Sequence, residues 1–164
     1  MKLKHFLVAG LAGLLASPVA LATPVDKKVK KNLDKLGLIY EIDTDNDFKM
    51  IMAVNEDGSR SQLVFVSSKT YSLGNVEVRE VFSPAARVPP GGLDAGTANE
   101  LLIRNRNTIV GGWSIWEEAG SEVLVFAAKV PADMKKQELR DVIDAVAFTA
   151  DQVEVLLTGG GDEF

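Results

Sequence analysis

Asp43, Asp45 and Asp47 form the local pattern in this sequence that most resembles a metal site. Carboxylates at alternate positions open a calcium-binding loop, in which six or more oxygen atoms surround the ion. The pattern then fails, because Phe48 replaces the glycine of the sixth position and Val54 replaces the bidentate glutamate of the twelfth. We favour a hairpin tip whose side chains accept hydrogen bonds from its own turn amides. The sequence therefore predicts no dedicated metal site and leaves weak cation binding open.

Glu117 and Glu118 are a second candidate, as a carboxylate pair for acid and base catalysis. Adjacent residues of a strand point to opposite faces, and no other acid cluster is placed opposite them. An exposed hairpin turn is the better interpretation. After residue 22 the chain contains no histidine and no cysteine, which excludes imidazole bases, thiol nucleophiles and nearly all zinc or haem ligation. No serine-nucleophile or phosphate-loop motif occurs, so we expect a non-enzymatic protein without a cofactor.

Two tryptophans and two asparagines remain as candidate binding residues. Trp113 and Trp116 are three apart in a predicted strand and therefore face opposite sides of a hairpin that is apolar on both faces. The protein's own helices could cover both faces, or part of one face could dock another chain or a second copy. Asn99 and Asn105 flank a predicted helix that carries two nearby arginines, and they serve either as caps or as ligand contacts.

The first 22 residues are typical of a secretory signal peptide. Lys2 and Lys4 precede an apolar run, and Ala20-Leu21-Ala22 is a small-x-small cleavage site. An uncleaved anchor is the alternative, but the uncharged stretch is shorter than the roughly 20 residues that a spanning helix needs. We expect a periplasmic or secreted protein with no stable membrane insertion after cleavage.

The remaining chain, residues 23–164, is acidic. Loss of Lys2 and Lys4 leaves 16 basic against 23 acidic residues, a net charge of −7. Phosphate backbones are bound through lysine and arginine, so this balance argues against a nucleic-acid partner. The length suits one domain over residues 23–158, followed by a flexible acidic tail over residues 159–164.

Hydrophobic periodicity predicts the order α-β-β-β-β-α-β-β-α. Thr23 caps the first helix with Pro24 at its first position, and Gly37 ends it. Residues 133–157 place apolar side chains at steps of three and four, which predicts one long C-terminal helix packed on a sheet. Residues 83–96, rich in proline and glycine, are predicted to form a loop. Strands are predicted over residues 38–42, 48–54, 63–66, 76–82, 109–117 and 122–130. This is an α+β fold with a mostly antiparallel sheet.

The order of elements, together with Ala98-Asn99-Glu100, Arg104-Asn105-Arg106 and the acid-rich first hairpin, resembles the YbjN-like family. Its collective name refers to bacterial sensory transduction regulation. The resemblance covers residues 36–157 and implies an α+β fold shared with the chaperones of type III secretion. It implies an interaction role and carries over no catalytic residues. Most such proteins lack an export signal, so this chain departs from the family pattern at its start.

The sequence thus predicts an exported, non-catalytic domain that binds an unidentified protein or peptide, with a homodimer as one form of that binding. The alternative is a periplasmic protein that binds a small ligand or a cation through the first hairpin or the loop at residues 83–96.

Overall fold

The computed structural model describes residues 23–118 and 120–164, and the predicted signal segment lies outside them. Among the described residues no helix is both long and apolar enough to cross a bilayer. The predicted element order and the α+β class are confirmed. The elements are α1 (Lys27–Leu36), β1 (Glu41–Ile42), β2 (Phe48–Ala53), β3 (Ser61–Leu73), β4 (Val76–Arg87), α2 (Ala95–Asn107), β5 (Gly112–Glu118), β6 (Ser121–Pro131) and α3 (Lys136–Thr158).

One six-stranded antiparallel sheet holds the described strands in the order β1-β2-β3-β4-β6-β5. The first four strands follow one another as hairpins. The chain then crosses through α2 and returns in a last hairpin, whose second strand β6 pairs with β4 and leaves β5 at the edge. The connection between β4 and β5 therefore places α2 beside the β5 edge of the sheet.

The predicted packing of the C-terminal helix on the sheet is confirmed. α3 lies across β3, β4 and β6 and also contacts α1. Its apolar stripe includes Ile143 and Val146, neither of which is exposed, and the helix is roughly 35 Å long at about 1.5 Å per residue. Apolar side chains of the three helices and of the covered sheet face form one core.

The beginning of α1 differs from the prediction. Asp26, rather than Thr23, is the N-cap, and its carboxylate accepts hydrogen bonds from the amides of Lys28 and Val29 at 2.7 and 3.0 Å. Asp26 lies here because its other oxygen pairs with Arg79 of β4, a contact that no local pattern shows. The predicted end of the helix is confirmed, since Gly37 has a left-handed φ of 67°.

The predicted loop over residues 83–96 is wrong in its first part. β4 continues through Pro84 to Arg87, and Pro84 is tolerated because the register with β6 shifts between Pro84 and Ala86. The irregular segment is only residues 88–94. Asp94 is the N-cap of α2, and its carboxylate accepts hydrogen bonds from the amides of Gly96 and Thr97.

Candidate binding surface

The two faces of the sheet have different surroundings. The inner face carries the side chains that pack under the helices, including Phe48, Val64 and Phe126. The outer face carries the alternate side chains, including Phe65, Phe82 and Trp116, and all three helices of the described residues pack on the inner side. The hypothesis that the protein's own helices cover both faces is therefore wrong, because one layer of helices covers only one face of a sheet.

A row of aromatic rings crosses the outer face. Phe65 and Phe82 form a cross-strand pair between β3 and β4, with stacked rings 4.9 Å apart and 6° from parallel. Trp116 of β5 reaches the same row, with its ring 4.7 Å from that of Phe82. Each of the three side chains is only partly buried. Aromatic side chains that stand partly exposed in a row give a rigid apolar surface that costs little conformational entropy to use.

The aromatic row forms the floor of a groove of about 550 Å³, which we call the outer groove. Val123 and Val125 of β6 extend the apolar floor and are at most 4% exposed. Its rim carries both signs of charge. The charged residues are Lys49, Arg87, Glu117 and the three acids of the first hairpin. An apolar floor within a charged rim has the composition of a protein-binding surface.

The last residues of the chain, predicted from the sequence as a flexible tail, return to this groove. The carbonyl oxygen of Phe164 accepts a hydrogen bond from the amide of Leu63 in β3 at 3.0 Å. The Phe164 ring lies 5.9 Å from the guanidinium of Arg87, and Glu163 pairs with the same guanidinium at 3.1 Å. The tail thus contacts both β3 and β4 at one end of the outer groove.

Glu154 of α3 holds the backbone of the tail. It is fully buried, and its Oε1 atom accepts hydrogen bonds from the amides of Glu163 and Phe164 at 2.6 and 2.9 Å. Burial raises the pKa of Glu154, and this effect outweighs the two amide hydrogen bonds that lower it. Arg60 lies beside it, with 3.6 Å between its Nη2 and the Glu154 Oε2. Arg60 also pairs with Asp151 at 2.7 Å and donates to carbonyl oxygens of the tail.

The acids of the first hairpin bind their own turn. Oδ1 of Asp43 accepts from the amides of Asp45 and Asp47 at 3.0 and 2.8 Å. Oδ1 of Asp47 accepts from the amide of Ser68 in β3 at 2.7 Å. Burial raises the pKa of Asp47, and the neighbouring acids raise it further. Within the described residues no group of three or more acids and imidazoles is placed to hold a metal ion.

Trp113 and Asn105 meet on the other side of the sheet. The side-chain oxygen of Asn105 accepts a hydrogen bond from the Trp113 amide at 2.6 Å, which ties the end of α2 to the start of β5. The Trp113 ring is 9% exposed and packs 5.1 Å from the ring of Phe126. It borders a hollow of about 370 Å³ between α2, α3 and β5, with Phe148 on the opposite wall.

The four sequence-predicted binding residues therefore do not form one site. Trp113 and Asn105 are together on the inner side, Trp116 lies in the outer groove, and Asn99 is exposed on α2. The two tryptophans face opposite sides of the sheet, as their spacing predicted. Sequence reasoning missed Phe82, Arg87 and the tail. Residues 63–66 of the neighbouring strand β3 are apolar on both faces. This pattern was the available signal that Phe82 lies on an outer face with apolar contacts of its own.

Comparison with known proteins gives a fold. No family model matches the sequence, and no curated protein matches it. Among solved structures, the crystal structure of YbjN from E. coli, a proposed transcription regulator, is similar with a TM-score of 0.50 and 9% sequence identity. The match covers 80% of this chain and 88% of that one. The chain therefore has a YbjN-like fold, as its element order predicted.

Proposed function

We propose that this YbjN-like chain is an exported, non-catalytic protein that binds an extended segment of another protein in its outer groove. One observation carries the proposal. An aromatic row lies on a sheet face that no helix of the described residues covers, and a peptide, the protein's own tail, is already seated beside it. Hydrogen bonding of extended backbone to an unpaired strand amide, as the tail makes with Leu63, is a common mode of peptide recognition.

The chemistry of the outer groove supports binding over turnover. Its floor is phenylalanine, tryptophan and valine, and tryptophan and arginine are the residue types that most often dominate binding energy at interfaces. The nearby acids Asp43 and Asp47 accept hydrogen bonds from backbone amides of the first hairpin and of β3, so their oxygens serve the fold.

Export rests on the signal-type segment before residue 23. The carbonyl oxygen of Thr23 accepts a hydrogen bond from the side-chain amide of Asn46 at 2.8 Å. Fractionation of cells that carry the full chain should give a periplasmic or secreted product whose first residue is Thr23 by N-terminal sequencing. A product that keeps residues 1–22 in the cytoplasm would contradict export.

Peptide binding is tested with residues 23–164 and a panel of fluorescent extended peptides, using anisotropy. We expect Trp116→Ala to weaken binding at least about tenfold, since removal of an aromatic anchor at an interface typically costs 2 kcal/mol or more. Ile115→Ala is the matched control. Ile115 neighbours Trp116 on β5 and is 45% exposed, but it pairs with Leu124 on the inner face. Equal binding by the Trp116 variant and the wild type would refute the outer groove as the binding surface.

A small apolar ligand in the hollow beside Trp113 is the second candidate function. It is favoured by the indole N–H of Trp113, which is buried without a hydrogen-bond partner among the described residues. A ligand that accepts this hydrogen bond would stabilise the folded state and raise Tm. A thermal-shift screen of small carbonyl compounds tests it, with Trp113→Phe as the variant expected to lose the response.

A further inference from the structure

We propose that residues 162–164 are a built-in ligand of the outer groove, and that the partner which displaces them carries the same pattern, an acidic residue followed by an aromatic one in an extended segment. This rests on the proposed function, because it names the partner of the same surface. It adds which type of peptide the outer groove selects, and it explains why the tail occupies the groove in the isolated chain.

The outer groove offers hydrogen bonds suited to a peptide backbone. The amide of Leu63 donates to Phe164, and Oε1 of Glu154 accepts from two consecutive amides of the tail. A buried carboxylate that loses both donors pays a desolvation cost, so whatever replaces the tail has to supply N–H groups. A second peptide meets this requirement, and an apolar small molecule does not.

Pairing between β3 and β4 leaves the Leu63 amide free to bind the tail at this end of the outer groove. The β3–β4 ladder begins at the Phe65–Phe82 pair, and Pro84 beyond it has no N–H to donate. The carbonyl oxygens there are satisfied locally, that of Pro84 by the Gln62 side chain at 2.7 Å and that of Leu63 by the Ser83 hydroxyl at 2.6 Å. The Leu63 amide is thereby left to the tail. The docking place is thus created by the proline and by two buried polar side chains.

The groove also contacts the side chains of its occupant. Arg87 pairs with Glu163 and lies over the ring of Phe164, so one guanidinium contacts both members of an acid-then-aromatic pair. Arg60 lies 3.9 Å from Asp162, but Asp151 and Glu154 already flank its guanidinium. Arg87 is therefore the cation that this end of the groove offers to an occupant. A segment with an acidic residue before an aromatic one complements both the charge and the ring contacts.

The tail is joined to α3 by Gly159, Gly160 and Gly161, and the first two have φ values of 69° and 99°, which only glycine adopts readily. A short glycine linker keeps the tail near the groove at an effective concentration in the millimolar range. A partner therefore competes with a tethered ligand, and the affinity observed for the intact chain is lowered by the fraction of time that the tail is bound.

The experiment uses a labelled peptide with the sequence of residues 159–164 and measures anisotropy. The proteins are residues 23–164 and a form ending at Gly161, whose folding is checked by circular dichroism. Phe164→Ala in the full-length form provides a second way of freeing the groove without shortening the chain. We expect both altered proteins to bind the peptide at least about tenfold more tightly than residues 23–164. Replacement of the peptide phenylalanine by alanine should weaken binding about tenfold, and glutamate by lysine a few-fold.

The outcomes separate this inference from the proposed function. Equal binding to the intact, shortened and Phe164→Ala proteins would overturn competition by the tail. Tight binding of aromatic peptides whatever their charge would overturn the proposed preference for an acidic residue before the aromatic one. The outer groove would then remain a peptide-binding surface. If neither freed protein binds any peptide of the panel, the inference and the proposed function both fail. A loss of the glutamate preference in Arg87→Gln, together with a weaker aromatic preference, would support the role assigned to that side chain.

Discussion

Removal of the negative charge from Asp26 should destabilise the fold far more than its place at a helix end suggests. Asp26 has two tasks, since its Oδ1 caps α1 and its Oδ2 lies 2.6 Å from Nη2 of Arg79. Arg79 is 3% exposed, and its other terminal nitrogen donates to the Ser67 carbonyl at 2.7 Å. Asp26→Asn keeps the cap, because asparagine caps as well as aspartate, and leaves the buried guanidinium without a counter-ion.

The expected cost follows from this geometry. Loss of one partner of a buried ion pair costs about 3–5 kcal/mol, and the Asp26 side chain is 22% exposed, so we expect about 2–3 kcal/mol for Asp26→Asn. Asp26→Ala should lose about a further 1 kcal/mol through the cap. Asp94 supplies the matched control, since it caps α2 by the same two amide contacts and has no salt bridge in the described structure. Asp94→Asn should therefore be close to neutral.

Urea unfolding of residues 23–164 at pH 7 measures these differences, and the same titration at lower pH tests their electrostatic origin. Burial raises the pKa of Asp26, but the hydrogen bond from Arg79 and the amides of Val29 and Lys28 outweigh it and lower the pKa below its ordinary 3.8. A lowered pKa gives stability that is present above that value and is lost as pH falls through the folded pKa. The gap between wild type and Asp26→Asn should therefore narrow below about pH 4. Equal stability of the Asp26→Asn and Asp94→Asn proteins at pH 7 would refute the reasoning.

Three further substitutions test other parts of the fold by the same unfolding assay. Gly111→Ala should destabilise the protein more than Gly120→Ala, although both glycines have a positive φ. A Cβ at Gly111 would lie 2.8 Å from a β6 carbonyl oxygen, whereas a Cβ at Gly120 would have no atom within 4 Å. Equal losses of stability would contradict this steric explanation. Asn105→Ala should cost about 1–3 kcal/mol by leaving the Trp113 amide unpaired, and Asn105→Asp should retain most of that stability. Asp47→Asn should preserve or raise the free energy of unfolding at pH 7. The pKa of Asp47 is raised in the folded state, so its ionisation lowers stability as pH rises through that pKa. A large loss of stability in Asp47→Asn would show that the negative charge itself is needed.

The elements that the sequence predicted well are those set by local periodicity. The apolar stripe of α3 and the glycine that ends α1 depend on residues within a few turns of one another, and both are in the structure. The beginning of α1 was missed because Asp26 is fixed by Arg79, which lies 53 positions away. Pro84 suggested a loop because its missing N–H usually ends a strand, and a register shift that depends on β6 makes it acceptable.

The candidate site was less predictable than the fold, for a physical reason. Alternation of apolar residues shows that a strand has two apolar faces, but it does not show which of them the helices cover. The placement of Trp116 with Phe82 depends on β6 lying beside β4, which is a property of the whole sheet. The glycine-rich composition of the tail indicated mobility, and its contact with Arg87 comes from a residue that is distant in sequence.

The insertion of β6 beside β4 also bears on when this chain can fold. The first four strands form sequential hairpins, yet the central partner of β4 and the helix that covers β3 and β4 both come from residues after 120. A chain emerging from the ribosome has therefore made most of its length before its core can close. We expect a fragment of residues 23–111 to show no cooperative unfolding transition. Under the proposed export, late closure would leave the nascent polypeptide unfolded enough to pass through a translocation channel before it becomes compact.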